Sequence, residues 1–184
     1  ALGQVAHLQI DTRLDADTLR WRVNDELPSD INVIGLARAP QRFHARHDAV
    51  SRAYLYQISR RKQAFRKKNV WWVKEDLDIG AMARMARMLP GRHDFICFRA
   101  ADTSRPGEST IVVVENAEIE ADEDIIQFRI EASHFLWRMV RRIVGVLVKI
   151  GKGEISEADF VQLLDGRGDA RLDVAAWTAP GSGL

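Results

Sequence analysis

The sequence has little from which several familiar kinds of site are built. It contains one cysteine, Cys97, in 184 residues, so no internal disulfide can form and no second thiol is available to share a metal ion. A reducing, cytoplasmic setting is the simpler reading of that scarcity. The longest apolar run, Ile143 to Val148, falls far short of the about 20 residues a membrane-spanning helix needs, and no membrane partner is expected. The five histidines (His7, His44, His47, His93 and His134) show no clear ligand spacing beyond the weak pair His44 and His47, and no metal is expected. There is no His-Glu-x-x-His helix, no glycine-rich phosphate loop and no Gly-x-Ser-x-Gly elbow, which argues against a zinc protease, a P-loop nucleotidase and an acyl-transfer hydrolase. Net charge is also nearly absent, at +1.

What is present is the balance of an ordinary globular protein, 46% apolar and 29% charged, in a chain long enough for one sizeable domain or two small ones. The charges are unevenly distributed. From Arg38 to Lys68 there are ten Lys or Arg against one acid, Asp48, whereas Asp102 to Glu131 holds nine acids against Arg105 and Arg129. A basic block in a near-neutral protein suits a nucleic acid, although a solvated loop would show the same pattern.

Periodicity predicts strands over Gln4 to Ile10, Ile31 to Leu36 and Ala53 to Ser59, and helices over Asp15 to Leu27 and Asp78 to Leu89. Thr110 to Ile119 and Ile125 to Glu131, joined through Asp122-Glu123-Asp124, read as a hairpin. A long helix is expected from about Ser133 to Lys149, stopped by Gly151-Lys152-Gly153, and a short one through Leu164 behind the capping box at Ser156. Arg60 to Asn69 and Ser104 to Ser109 read as loops. The order favours an α+β fold: a largely antiparallel mixed sheet with helices packed on one side.

Two features stand out as candidate chemistry. On a 100° wheel the long helix has a broad apolar face through Leu136, Met139, Val140, Ile143, Val144 and Leu147, with Arg138, Arg142 and Lys149 on the far side, where a solvated or phosphate-facing role is natural. Arg141 falls at the edge of the apolar face. A guanidinium there needs a carboxylate, a phosphate or an interface, unless it snorkels or joins a structural ion pair. Tyr54 and Tyr56 share a strand face among basic residues; they read either as a platform for an unpaired base or as half-buried strand tyrosines.

Several segments, in order along the chain, match one family. Ala1-Leu2-Gly3-Gln4-Val5-Ala6-His7 looks like the continuation of a Gly-Arg-Thr-Asp-Ala-Gly-Val-His-Ala motif. Leu27-Pro28-Ser29-Asp30-Ile31, Phe43-His44-Ala45-Arg46, Ser51-Arg52-Ala53-Tyr54-Leu55-Tyr56 and Gly91-Arg92-His93-Asp94-Phe95 follow, then Phe98-Arg99-Ala100. Phe135-Leu136-Trp137-Arg138-Met139-Val140-Arg141-Arg142-Ile143-Val144-Gly145, then the tail Thr178-Ala179-Pro180 with Gly183-Leu184, complete the set. The chain resembles the TruA-type tRNA pseudouridine synthases.

That resemblance implies a pseudouridine synthase-like fold with ferredoxin-like subdomains. Residues 1–58 would close the N-terminal half of a catalytic domain, and 59–184 would form its C-terminal half. It implies isomerisation of uridine to pseudouridine in the anticodon arm of tRNA, without metal or organic cofactor, by a homodimer. Tyr54 and Arg141 would be catalytic, the first stacking on the flipped uracil and the second pairing with a nucleophilic aspartate. Arg46, Arg52, Arg60, Arg61, Lys62, Arg99, Arg138 and Arg142 would contact RNA, and His44 would support the site. The Arg-Thr-Asp segment is not in this sequence, so the aspartate is expected upstream of Ala1, and the ends of the chain read as cuts. Asp11, Asp48 and Asp94 stand outside the matching motif. The alternative is a non-catalytic RNA-binding domain.

Overall fold

The computed structural model describes residues 3–101 and 107–184; Ala1-Leu2 and half of the expected loop Ser104 to Ser109 lie outside that range. The chain divides into two compact units, Ala1–Ala49 and Val50–Leu184.

The first unit holds one helix, α1 (Ala16–Glu26), started by Asp15, whose carboxylate accepts the Thr18 N–H at 2.9 Å. The helix buries no residue. Neither Gln4 to Ile10 nor Ile31 to Leu36 forms the expected strand. Alternation supplies an apolar face but not a ladder partner, and a strand exists through its pairing. In the second segment the Asn24 side chain takes the partner's place: its oxygen accepts Val33 N–H at 2.7 Å and its amide donates to Val33 O at 3.0 Å.

The second unit is built on a five-stranded sheet in the order β2-β1-β5-β4-β3. Its strands are β1 (Arg52–Ser59), β2 (Trp71–Trp72), β3 (Gly91–Asp94), β4 (Ile111–Asp122) and β5 (Ile125–Ala132). All pairs are antiparallel except β1 with β2. This is the expected α+β arrangement, and the hairpin of β4 and β5 turns through Glu123 in a left-handed conformation (φ 43°). The sequence hides β2 and β3, because segments of two and four residues carry no readable period. One face of the sheet is apolar: Tyr56 and Ile58 of β1, Ile126, Phe128 and Ile130 of β5, and Val112, Val114 and Ala117 of β4 are all buried. A bulge between Val114 and Asn116 keeps that face continuous by absorbing Glu115.

Helices α2 (Ile79–Ala86), α3 (Met139–Gly151) and α4 (Glu157–Leu164) complete the unit. Met82 and Met85 of α2 are buried in the same core as the sheet face, so the methionines are core filler. Helix α3 is buried over ten of its 13 residues. It starts six residues later than the periodicity suggests. Arg138 adopts a left-handed conformation (φ 60°, ψ 7°), which breaks the helix, so Leu136 and Trp137 belong to a turn that leads into it. The wheel also missed the environment of Arg142, because the loop that covers it is remote in sequence. That residue is half-buried, not on an open face, and packs beneath the Arg99 carbonyl.

Helix α4 begins with the expected capping box: Ser156 Oγ accepts Asp159 N–H at 3.1 Å while Asp159 accepts the Ser156 N–H at 2.8 Å. Ser156→Ala is expected to lower stability by about 1 kcal/mol, read as a lower urea midpoint at unchanged slope. The Ser156 hydroxyl first, and its N–H second, hold the Asp159 carboxyl below the usual range. A carboxyl lowered on folding contributes stability above its unfolded pKa and loses it as pH falls through the folded value. The variant should therefore show a smaller loss of stability on acidification.

Candidate active site

Four segments of the second unit converge around the start of α3. They are the N-terminal end of β1, the turn Ser133 to Arg138, the loop through Arg99 and Ala100, and the tail from Trp177 to Pro180. Backbone hydrogen bonds tie them together: Ala100 N–H to Trp137 O at 3.0 Å, and Ala179 N–H to Arg141 O at 3.0 Å. Side chains reinforce this. The Arg52 guanidinium donates to Ser133 O at 2.8 Å, and Ser51 donates to the Glu131 carboxylate at 2.6 Å.

The two strand tyrosines meet different fates on the same face. Tyr56 is fully buried, and its hydroxyl donates to Pro180 O at 2.6 Å. Burial pushes that hydroxyl well above the ordinary phenol range, against the opposing pull of Arg141, so Tyr56 remains neutral and clamps the tail. Gly183 makes the fit possible, since a Cβ there would come within 2.3 Å of the Tyr56 ring. Tyr54, two residues nearer the strand end, is 40% exposed. Its ring meets Phe135 edge-on, with centroids 5.0 Å apart at 85°, a geometry that holds the ring and leaves area free.

The start of α3 is cationic. Arg138 stands at the cap and Arg141 and Arg142 follow in the first turn or just behind it, with no acid in that turn. Three cations at the positive end of a helix are electrostatically unfavourable unless an anion joins them. Arg141 Nε donates to Ala179 O at 2.6 Å, and neither Arg138 nor Arg141 pairs with a carboxylate among the described residues. Arg138 lies over the Trp137 ring, 5.2 Å from its centroid. Arg142 donates to Arg99 O, while its Nε is buried without a partner. Burial first, and the repulsion of Arg138 second, draw its pKa down, with Asp173 opposing.

The predicted site residues thus divide into groups. Tyr54, Arg52, Arg99, Arg138, Arg141 and Arg142 belong to the convergent segments. Arg60, Arg61 and Lys62 do not: they follow the far end of β1, about 20 Å along the strand from Tyr54 at 3.3 Å per residue. Arg61 is paired there with Asp124. Arg46 lies in the first unit, where its N–H donates to His44 Nδ1 at 3.3 Å. His44 lies between the His7 and His47 rings, with centroids 4.4 and 4.1 Å away. Among the described residues no group of three or more His, Cys, Asp or Glu could hold a metal ion.

Phe135 and the tail carbonyls of Ala179 and Pro180 were not singled out from the sequence. Phe135 could have been found from its place at the head of the helix motif. The carbonyls carry no side-chain signal at all.

The fold and the site define an α+β domain that presents an exposed tyrosine beside a cationic helix start, the equipment for handling a polyanion. The profile of the family described as tRNA pseudouridine synthase matches residues 85–184. The tRNA pseudouridine synthase A of Geobacillus kaustophilus (strain HTA426) is 39% identical over 188 residues, covering all of this chain and 70% of that protein. That of Thermoanaerobacter sp. (strain X514) is 37% identical over 186 residues, covering all of this chain and 74% of that protein. That of Thermotoga maritima is 35% identical over 174 residues, covering 94% of this chain and 69% of that protein. The chain belongs to the tRNA pseudouridine synthase family.

Proposed function

We propose that this chain supplies the central and C-terminal parts of an enzyme that isomerises uridine to pseudouridine in the anticodon arm of tRNA. The observation that carries the reading is the cationic start of α3, where Arg141 is oriented by Ala179 and has no carboxylate partner among the described residues. The reaction detaches uracil from C1′, turns it and rejoins it through C5. A C–N bond breaks, a C–C bond forms, and the C5 proton is lost. A carboxylate is the nucleophile this chemistry suits, and the aspartate expected upstream of Ala1 would pair with Arg141.

The target base must leave its stack before it can react. Tyr54, braced by Phe135 and 40% exposed, offers a replacement stacking surface, and its hydroxyl would assist removal of the C5 proton. Arg52, Arg99, Arg138 and Arg142 provide phosphate-facing charge around it, with Arg46, Arg60, Arg61 and Lys62 extending the contact along the RNA. On this reading 1–58 and 59–184 are parts of one catalytic domain, the enzyme acts as a homodimer in the cytoplasm, and no metal or organic cofactor takes part. No described helix is long and apolar enough to cross a membrane.

Tritium release from tRNA labelled at uridine C5 tests the proposal, using the chain extended upstream through the Arg-Thr-Asp segment. Tyr54→Phe keeps the ring and removes the hydroxyl; release should slow roughly 10²- to 10⁴-fold with tRNA affinity unchanged. Tyr54→Leu should also weaken binding. An extended chain that binds tRNA in a salt-sensitive way yet releases no tritium would instead establish the RNA-binding domain.

A further inference from the structure

Past the far end of β1, the loop of residues 60–69 arches over the sheet edge. With Val70, Trp72 and Ser182 it bounds an open groove of about 470 Å³ lined mainly by apolar atoms. The loop is anchored. Ser59 Oγ donates to Arg61 O at 2.6 Å, Arg61 pairs with Asp124, and Asn69 N–H bonds Arg66 O at 2.8 Å. Gln57 holds the returning end through Asn69 O at 3.3 Å. The groove is therefore preformed, and two aromatic rings stand open at it or beside it. Trp72 is 40% exposed although it lies in a strand, and Phe65 projects fully into solvent from the loop.

Lys62 places its ammonium 4.8 Å from the Trp72 ring centroid, and Lys67 lines the same groove. Neither these lysines nor Arg66 and Lys68 pairs with a carboxylate among the described residues. An aromatic surface rimmed by unpaired cations is the chemistry that takes a single-stranded nucleotide: the ring accepts a base of any identity, and the cations take the phosphates on either side. An apolar protein segment would leave those four charges without partners.

We propose that this groove is a second nucleotide subsite, in which an unpaired nucleotide of the substrate RNA stacks on Trp72 while its flanking phosphates bind Lys62 and Lys67. The inference rests on the RNA-modifying reading above and adds a base contact remote from Tyr54. The incoming base displaces the Lys62 ammonium from the indole face, and the freed charge meets the adjacent phosphate. The nucleotide held here is not the one that reacts, since Trp72 pairs with Ser59, about 17 Å along the strand from Tyr54.

The test is equilibrium binding of an unmodified tRNA transcript to the 184-residue chain across a range of salt. Trp72→Leu should weaken binding roughly 5- to 150-fold without changing the salt slope, because no charge is lost. Trp72→Phe should restore most of the affinity. Lys67→Ala should reduce the salt slope by about one. Ultraviolet cross-linking of the unaltered chain to the same transcript should place a nucleotide adduct on Phe65 or Trp72, which reads the contact even if a variant folds poorly. Trp72→Leu binding within twofold of the parent, or adducts confined to other peptides, would overturn the subsite while leaving the Tyr54 results standing. Absence of salt-sensitive tRNA binding by the parent chain would overturn the subsite, while tritium release by the extended chain decides the Tyr54 reading separately. If Trp72→Leu abolished self-association in sedimentation and left tRNA binding intact, the groove would be an interface between copies and the proposal would fail.

Discussion

Replacing Arg141 with alanine in the extended, active protein should reduce tritium release by at least about 10³-fold while changing tRNA affinity less than tenfold. The expectation follows from how the residue is held. Its Nε is tied to Ala179 O at 2.6 Å, and its own carbonyl accepts the Ala179 N–H at 3.0 Å. The Nε contact orients the guanidinium, the backbone contact holds its acceptor in place, and the terminal nitrogens are left for a planar, bidentate acceptor. A carboxylate fits that fork and a single phosphate oxygen uses it less fully. Three cations at the helix start also raise the local potential, so an arriving carboxylate stays ionised, as a nucleophile must. Arg141→Lys should not rescue. One ammonium cannot hold Ala179 O and present two parallel donors, so a loss of at least about 10²-fold is expected there too. The same variants report a purely structural role if that is the truth. The lost bond to the tail would then appear as a lower urea midpoint, with turnover per folded molecule within tenfold of the parent, and that result would remove Arg141 from the catalytic machinery.

Much of the second unit was legible because its signals are local. Asp78 and Ser156 announce their helices through side chains that bond the third residue onward, and the acidic turn separates two alternating strands. Burial of Val112, Val114, Ile126 and Phe128 follows from that alternation. The start of α3 was not legible. Nothing in Leu136-Trp137-Arg138 forbids a helix, and the break arises from the left-handed Arg138, which a tertiary contact such as Ala100 N–H to Trp137 O sustains. The covering of Arg142 was hidden for a separate reason, since the Arg99 carbonyl that meets it comes from a loop distant in sequence. Arg141 and Arg142 both lie inside the helix under either boundary. In the first unit the failure was of a different kind, because periodicity reports a face and never a partner.

The site was partly legible for the same reason. Arg141 drew notice as a charge at the edge of an apolar stripe, and Tyr54 as an aromatic among cations, both properties of single residues and their neighbours. What separates Tyr54 from Tyr56 is tertiary: the tail reaches Tyr56 through Pro180 and Gly183 and leaves Tyr54 uncovered. Residue types alone favour neither. The grouping of the arginines was also hidden, since Arg60, Arg61 and Lys62 look continuous with Arg52 in sequence but lie at the opposite end of a strand.

The tail's dependence on close approach leads to the second large effect. Gly145 sits inside α3, where glycine is about 1 kcal/mol less favourable than alanine, so propensity alone predicts that Gly145→Ala stabilises the protein. Packing predicts the reverse. A Cβ at Gly145 would stand 1.8 Å from Trp177 O and 2.8 Å from Trp177 C. Both are backbone atoms and cannot turn aside as a side-chain tip would. Either α3 or the Trp177 segment must shift, and Ala179 lies two residues beyond, bonded to both the Arg141 carbonyl and its guanidinium. Overpacking against backbone should outweigh the propensity gain, with a net loss of about 3 kcal/mol, or about 6–12 °C in the melting temperature of a chain this size. Because the shift moves the acceptor that orients Arg141, turnover should fall together with stability, whereas Ser156→Ala lowers stability alone. Calorimetry with hydrogen exchange at the Ala179 amide reads both parts. A Gly145→Ala protein as stable as the parent, with Ala179 equally protected, would show that α3 and the tail do not approach so closely in solution and that Arg141 is oriented by something else.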